Sequence, residues 1–178
     1  YCDFNSHVNE KINVNDWIQS YKNQLFAMKE ELLENRISFK HLDTIFFGGG
    51  TPSLMPLKIV ESIIDISNKI FGFKKDIEIT LEANPGSYES KKFIKFKQIG
   101  INRVSIGAQS LNNNYLKFLG RLHNIKDINI ALNDASEIFE NISVDLIYAF
   151  YGQNIHDWIS ELESFLNTFN LQHLSLYQ

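Results

Sequence analysis

The chain has 178 residues, 44% of them hydrophobic and 21% charged, with a net charge of −4 at neutral pH. That is the balance of a globular protein long enough to bury a core. Lysines and acids interleave without a basic stripe, which argues against nucleic acid as a partner. No apolar run approaches a transmembrane segment, no charged start leads into a signal core, and the lone cysteine, Cys2, leaves no internal disulfide framework. A cytoplasmic setting is the expectation.

Helical and strand-like segments alternate along the chain. Trp17, Tyr21, Leu25, Met28 and Leu32 recur at spacings of three and four, which predicts a helix over about 15–34. Asp43 to Phe47 reads as a strand, and Gly48-Gly49-Gly50-Thr51-Pro52 follows it directly. Bare backbone at a strand end can touch a ligand, because glycine lacks a Cβ and tolerates positive φ. This run is not a phosphate loop, since no Lys-Ser or Lys-Thr follows the last glycine. It also lacks the third glycine of a dinucleotide fingerprint. Two readings stay open: a tight turn into a helix begun by Pro56, or a ligand cradle.

Ile59, Ile63, Ile66 and Ile70 line one side of a helix from Leu57 to Phe71. Ile77 to Ala83 is a strand with Glu78, Thr80 and Glu82 on one face, ended by the turn signal Asn84-Pro85-Gly86. A lysine-rich helix over about 88–98 turns Phe93 and Phe96 inward. Asn102 to Ala108 is a strand, and a short helix near 112–119 ends at Gly120-Arg121. Ile128, Leu132, Ala135 and Phe139 mark a helix, Ser143 to Tyr148 a strand, Trp158, Leu162, Phe165 and Phe169 a helix, and His173 to Tyr177 the last strand. Five strands alternating with helices predict βαβ units and a parallel sheet in one α/β domain, either open or part of a barrel.

In such folds, ligands meet the carboxyl ends of the strands. The residues predicted there are Gly49, Gly50, Thr51, Glu82, Asn84, Gln109 and Asp145, with Arg121 and His123 on a following loop. Glu82 suits a ligand amine or hydroxyl, or else a salt bridge to a helix lysine or to Arg103; Glu78 can point into solvent. Gln109 and Asp145 are ambiguous singly. A guanidinium beside a glycine break suits carboxylate capture, which favours Arg121. Together the set fits a ligand with an amine, a carboxylate and a ribose. The five histidines lack metal-site spacing, and no Gly-x-Ser-x-Gly nucleophile elbow occurs.

Several motifs, in order, resemble one family. Tyr1-Cys2-Asp3-Phe4-Asn5-Ser6-His7 is similar to the end of the radical S-adenosylmethionine (SAM) motif, Cys-x-x-x-Cys-x-Tyr-Cys. Phe47-Gly48-Gly49-Gly50-Thr51-Pro52-Ser53 resembles that superfamily's glycine motif. Leu81-Glu82-Ala83-Asn84-Pro85, Gly100 to Ser110, Leu119 to Asn124 and Val144 to Tyr148 continue the match. The resemblance is to the oxygen-independent coproporphyrinogen III oxidase-like family. Phe4 stands where the oxidase type carries a further cysteine, which favours the HemW-like haem-chaperone branch over the oxidase.

The resemblance implies a partial radical SAM (β/α) barrel: five parallel strands alternating with helices, with the first strand and a C-terminal domain outside this chain. Residues 1–178 would then be a single incomplete core domain. It implies a 4Fe–4S cluster and SAM as cofactors, with haem bound by the full-length parent and passed to haem-accepting proteins. Cys2 would be the third cluster ligand, and Tyr1 would lie near the adenine. Gly49, Gly50 and Thr51 would cradle the methionine end of SAM. Glu82 would sit near that moiety or the ribose, Gln109 and Asp145 would hold ribose hydroxyls, and Arg121 would meet the carboxylate. Two departures stand out: one cysteine where the cluster takes three, and Phe150-Tyr151-Gly152-Gln153 in place of Leu-Pro-Gly-Gln. They leave a non-functional gene fragment as a third reading.

Overall fold

The computed structural model describes residues 12–86 and 92–178. Tyr1, Cys2 and the start of the lysine-rich helix lie outside them. The elements, in order, are α1 (Val14–Glu34), β1 (Leu42–Phe47), α2 (Leu57–Phe71), β2 (Phe73–Ala83), α3 (Phe93–Gln98) and β3 (Arg103–Gln109). Then follow α4 (Asn113–Phe118), α5 (Ile125–Ile138), β4 (Asn141–Ile147), α6 (Ile155–Thr168) and β5 (His173–Tyr177). A 3₁₀ turn, Pro52–Leu54, separates the glycine run from α2, so the chain does not pass straight from strand to helix at Pro56.

All five strands are parallel and lie in sequence order, β1-β2-β3-β4-β5. Every crossover therefore advances the sheet in one direction. That winding belongs to a barrel rather than to a doubly wound sheet, whose strand order reverses at a switch point. The sheet is a curled half-barrel, and the open-sheet alternative is excluded.

One sheet face is apolar and covered by helices. Ile79, Leu81, Val104, Ile106, Val144 and Leu146 lie buried against Ile59 and Val60 of α2, Phe93 and Phe96 of α3, Leu132 of α5 and Phe165 of α6. Burying a side chain of this size stabilises by about 1.5–3 kcal/mol. Asn124 caps α5 in a full capping box with Asp127, and Asn154 caps α6. Each such cap contributes about 1 kcal/mol.

The helix α1 departs from expectation. No residue of it is buried, and Trp17 and Met28 are among the exposed large hydrophobics. The face it turns inward runs through Val14, Ile18, Tyr21, Leu25 and Leu32. The helix packs on α2 rather than on the sheet, so it needs only a narrow stripe and leaves the flank of the predicted face to solvent.

Candidate functional site

The carboxyl ends of all five strands converge on one cleft of about 550 Å³. That volume is within the range of small-molecule sites. One wall is polar: Gly50, Thr51, Glu82, Asn84, Gln109, Arg121 and Asp145. The other is largely aromatic, formed by Phe118, Tyr148, Phe150, Tyr151 and Tyr177. Tyr115 braces this second wall by stacking on Phe150 at 4.5 Å.

The glycine run makes an open backbone turn at the end of β1. Gly49 (φ +83°) and Gly50 (φ +57°) are both left-handed, and an added Cβ at either would meet nothing within 4 Å. Backbone conformation is thus the reason for glycine here, and the space in front stays open to a ligand. The Gly49 N–H donates to Glu82 Oε2 at 3.0 Å, which ties the loop to β2.

Of the alternatives for Glu82, the bridge to Arg103 is ruled out. The partner of Glu82 is the Gly49 backbone, whereas Arg103 takes Glu78, with Nη1 3.4 Å from Oε1. Glu78 does not point into solvent: it also accepts from Thr80 Oγ1 and Asn141 Nδ2. Register explains both results, because Thr80 lies beside Arg103 while Glu82 lies beside Ser105. Partial burial pushes the Glu82 carboxyl above its ordinary range; the Gly49 N–H opposes this and the nearby Asp145 charge adds to it.

Asp145 accepts from Ser105 Oγ at 3.1 Å across the β3–β4 pair. Arg121 reaches back from the loop after α4. Its Nη2 donates to Asn84 Oδ1 at 2.5 Å and to the Gly107 carbonyl at 3.0 Å. Asn84 in turn donates to Thr51 Oγ1 at 3.0 Å. One asparagine therefore joins the glycine loop, the end of β2 and the guanidinium. Sequence reading places Asn84 at this strand end and in the turn signal that follows, but does not give its two partners.

Gln109 is buried at the rim with φ +69°, where non-glycine residues are rare. Ala149, at the end of β4, is likewise left-handed at φ +61°. Strained backbone of this kind clusters at functional sites. Gly107 supports Gln109 by omission, since a Cβ there would stand 2.8 Å from Gln109 Nε2.

His123 is not a plain surface residue. It lies within hydrogen-bond reach of the Ala108 carbonyl, Nε2 at 3.2 Å, and burial lowers its basicity. Among the described residues, no group of three or more His, Cys, Asp or Glu is placed to hold a metal ion, and no helix is long and apolar enough to cross a membrane.

A half-barrel of parallel strands, with a glycine turn, two acids and an arginine–asparagine clamp around a cleft at its carboxyl rim, defines an α/β protein of the partial-barrel class. The model of the Radical SAM superfamily matches residues 1–165, and the chain belongs to that superfamily. It is 36% identical over 178 residues to the haem chaperone HemW of Buchnera aphidicola, and 33% identical over 183 residues to that of Escherichia coli. In both cases all of this chain aligns with 46% of the relative, so the chain spans just under half the length of these curated proteins. Among solved structures, coproporphyrinogen III oxidase (HemN) from Escherichia coli superposes with a TM-score of 0.79 at 23% identity. That match covers 99% of this chain and 40% of the other, and it bears on the fold alone.

Proposed function

We propose that this chain is the SAM-binding core of a HemW-like haem chaperone. In the full-length parent it would bind SAM, a 4Fe–4S cluster and haem, and pass haem to haem-accepting proteins of the cytoplasm. The observation that carries the SAM reading is the left-handed Gly49–Gly50 turn tied to Glu82, with Asp145, Gln109 and Arg121 on the same rim. Similarity to haem chaperones along the whole chain supports the chaperone reading over the oxidase.

The residues fit SAM. The open side of Gly49 and Gly50 admits the methionine end against bare backbone. Glu82 and Asp145 place two acids where a ligand with an ammonium and a sulfonium brings positive charge, and bound cations would favour the ionised form of Glu82. Asp145 and Gln109 offer ribose hydroxyls an acceptor and an amide. Arg121, fixed by Asn84 and the Gly107 carbonyl, supplies positive charge for the carboxylate. The aromatic wall gives the adenine an apolar surface to lie on. When bound, SAM supplies a sulfonium centre open to reductive cleavage.

The cluster is a different matter. The 178 residues contain one cysteine, and a 4Fe–4S cluster takes three or four thiolates. Cys2 is one ligand at most, so no step of chemistry is assigned to a cluster in this stretch alone.

The test begins with the gene upstream of Tyr1. A Cys-x-x-x-Cys in frame there, followed by anaerobic iron and sulfide reconstitution of the extended protein, should give the absorbance and paramagnetic signature of a 4Fe–4S centre. The same protein should bind haem and leave coproporphyrinogen III intact. Robust decarboxylation of coproporphyrinogen III would overturn the chaperone reading, and an upstream sequence without cysteines would overturn the cluster reading.

A further inference from the structure

The turn that carries Gln109 is gripped from outside the cleft. The Ser110 N–H donates back to the Ala108 carbonyl at 2.9 Å, and Gln109 between them has φ +69°. This is an i to i+2 bond around a left-handed residue, the rarer and strained form of γ-turn. The β3–β4 register slips at the same place, between Ile106 and Gln109. Strained backbone persists only where its surroundings fix it.

The fixing group comes from α6. Glu161 Oε1 accepts Ser110 Oγ at 2.5 Å and also the Leu111 N–H. Ser110 Oγ in turn accepts the Asn112 N–H at 3.0 Å, and Asn112 is the N-cap of α4. One carboxylate oxygen thus pins the residues directly after Gln109, and its hold extends to the start of the next helix. Glu161 does not line the cleft. It shares the i, i+3, i+4, i+7 stripe of Trp158, Leu162 and Phe165, where an acid is out of place unless something pairs with it. Burial pushes its carboxyl above the ordinary range, opposed by the two bonds from the turn.

We propose that Glu161 is a positioning residue for the cleft, its carboxylate holding the γ-turn that aims Gln109 at the ligand. The proposal rests on the reading of the cleft as a SAM site, and two separate measurements keep the two apart.

The first measurement needs no ligand. Hydrogen exchange is followed in the wild type, Glu161→Ala and Glu161→Gln. Glu161→Ala should speed exchange at Leu111 and Asn112 by about tenfold or more while leaving β2 and α5 unchanged. Glu161→Gln, which keeps an acceptor oxygen, should restore protection. Unchanged protection at 111–112, or equal acceleration across the molecule, overturns the clamp. The second measurement is SAM affinity. Glu161→Ala and Gln109→Ala should each weaken binding several-fold, and the double variant should bind no worse than Gln109→Ala alone. Additive losses would overturn positioning through Gln109. If the wild type does not bind SAM, the SAM reading fails and exchange alone decides the clamp. Should Glu161→Ala not fold, Ser110→Ala, which removes one of the two donors, carries both comparisons.

Discussion

Gly107→Ala should separate stability from binding. Gly107 lies inside β3 without a left-handed φ, so alanine fits its backbone. The new methyl would stand 2.8 Å from Gln109 Nε2, but 3.6 Å from Asn84 Oδ1 and 3.7 Å from Arg121 Nη2. The last two are ordinary contacts. The first is too close, and the amide is the end of a flexible side chain while the γ-turn holds its backbone, so the side chain is what moves. Alanine restricts the unfolded chain and contributes about 0.4–1 kcal/mol. Swinging the Gln109 side chain aside costs about 1 kcal/mol, as an off-rotamer torsion does. The two nearly cancel, and the melting temperature should stay within about 4 °C of wild type. SAM binding should weaken roughly twofold to tenfold, the worth of one hydrogen bond of about 0.5–1.5 kcal/mol. Thermal denaturation and anaerobic equilibrium binding measure the two quantities. In Gly107→Ala/Gln109→Ala the clash is gone, and affinity should match Gln109→Ala alone. A melting temperature lowered by more than about 10 °C, or unchanged affinity in a folded variant, would refute the reasoning.

Asn84→Ala removes the joint between Thr51 and Arg121; it should cost about 1–3 kcal/mol in stability and weaken SAM binding, as denaturant melts and equilibrium binding would record. Phe165→Ala empties a fully buried position between α6 and the sheet and should cost about 3–5 kcal/mol. Phe118→Ser, at a position 72% exposed on the aromatic wall, should leave the melt unchanged. Stability should also depend on pH through the rim. Glu82 has a raised folded-state pKa, so its contribution is present below the unfolded carboxylate value and is lost as pH rises through the folded one. His123 has a lowered one, so its contribution is present above the unfolded histidine value and lost as pH falls through the folded one. Melts from pH 4 to 7 should therefore lose the first dependence in Glu82→Gln and the second in His123→Gln, and a profile unmoved by either variant would contradict both assignments.

The order of strands and helices was legible because each apolar stripe has a clear period. The polar residues that line the cleft were legible as strand-end residues, because ligands in parallel α/β folds sit at strand ends. Pairings across the sheet were not legible, since they depend on register. Whether Arg103 meets Glu78 or Glu82 turns on a shift of the pairing along the strand that no local pattern encodes. The partners of Asn84 and the place of Glu161 were hidden for related reasons. Asn84 sits in Asn-Pro-Gly, where turn chemistry accounts for it locally. Glu161 is one acid on a helix with several, and only its place on the apolar stripe sets it apart.

That stripe argument extends to the sheet. Parallel strands are usually apolar on both faces, because helices cover both. Here β2, β3 and β4 alternate instead: Glu78, Thr80 and Glu82, then Arg103, Ser105 and Gly107, then Asn141, Ser143 and Asp145. Register places these side by side, Thr80 with Arg103 and Asn141, Glu82 with Ser105 and Ser143. The result is a continuous polar inner face running from the Glu78–Arg103 pair up to the Glu82–Asp145 rim. Such a face is costly unless its groups pair with one another, with water or with a ligand. The lower part pairs with itself, through Glu78, Arg103, Thr80 and Asn141. The upper part keeps its acids, amide and glycine backbone turned to the cleft. A half-barrel with one polar face thus keeps an inner surface whose upper groups open on the cleft, and the alternation that reveals it was in the strands from the start.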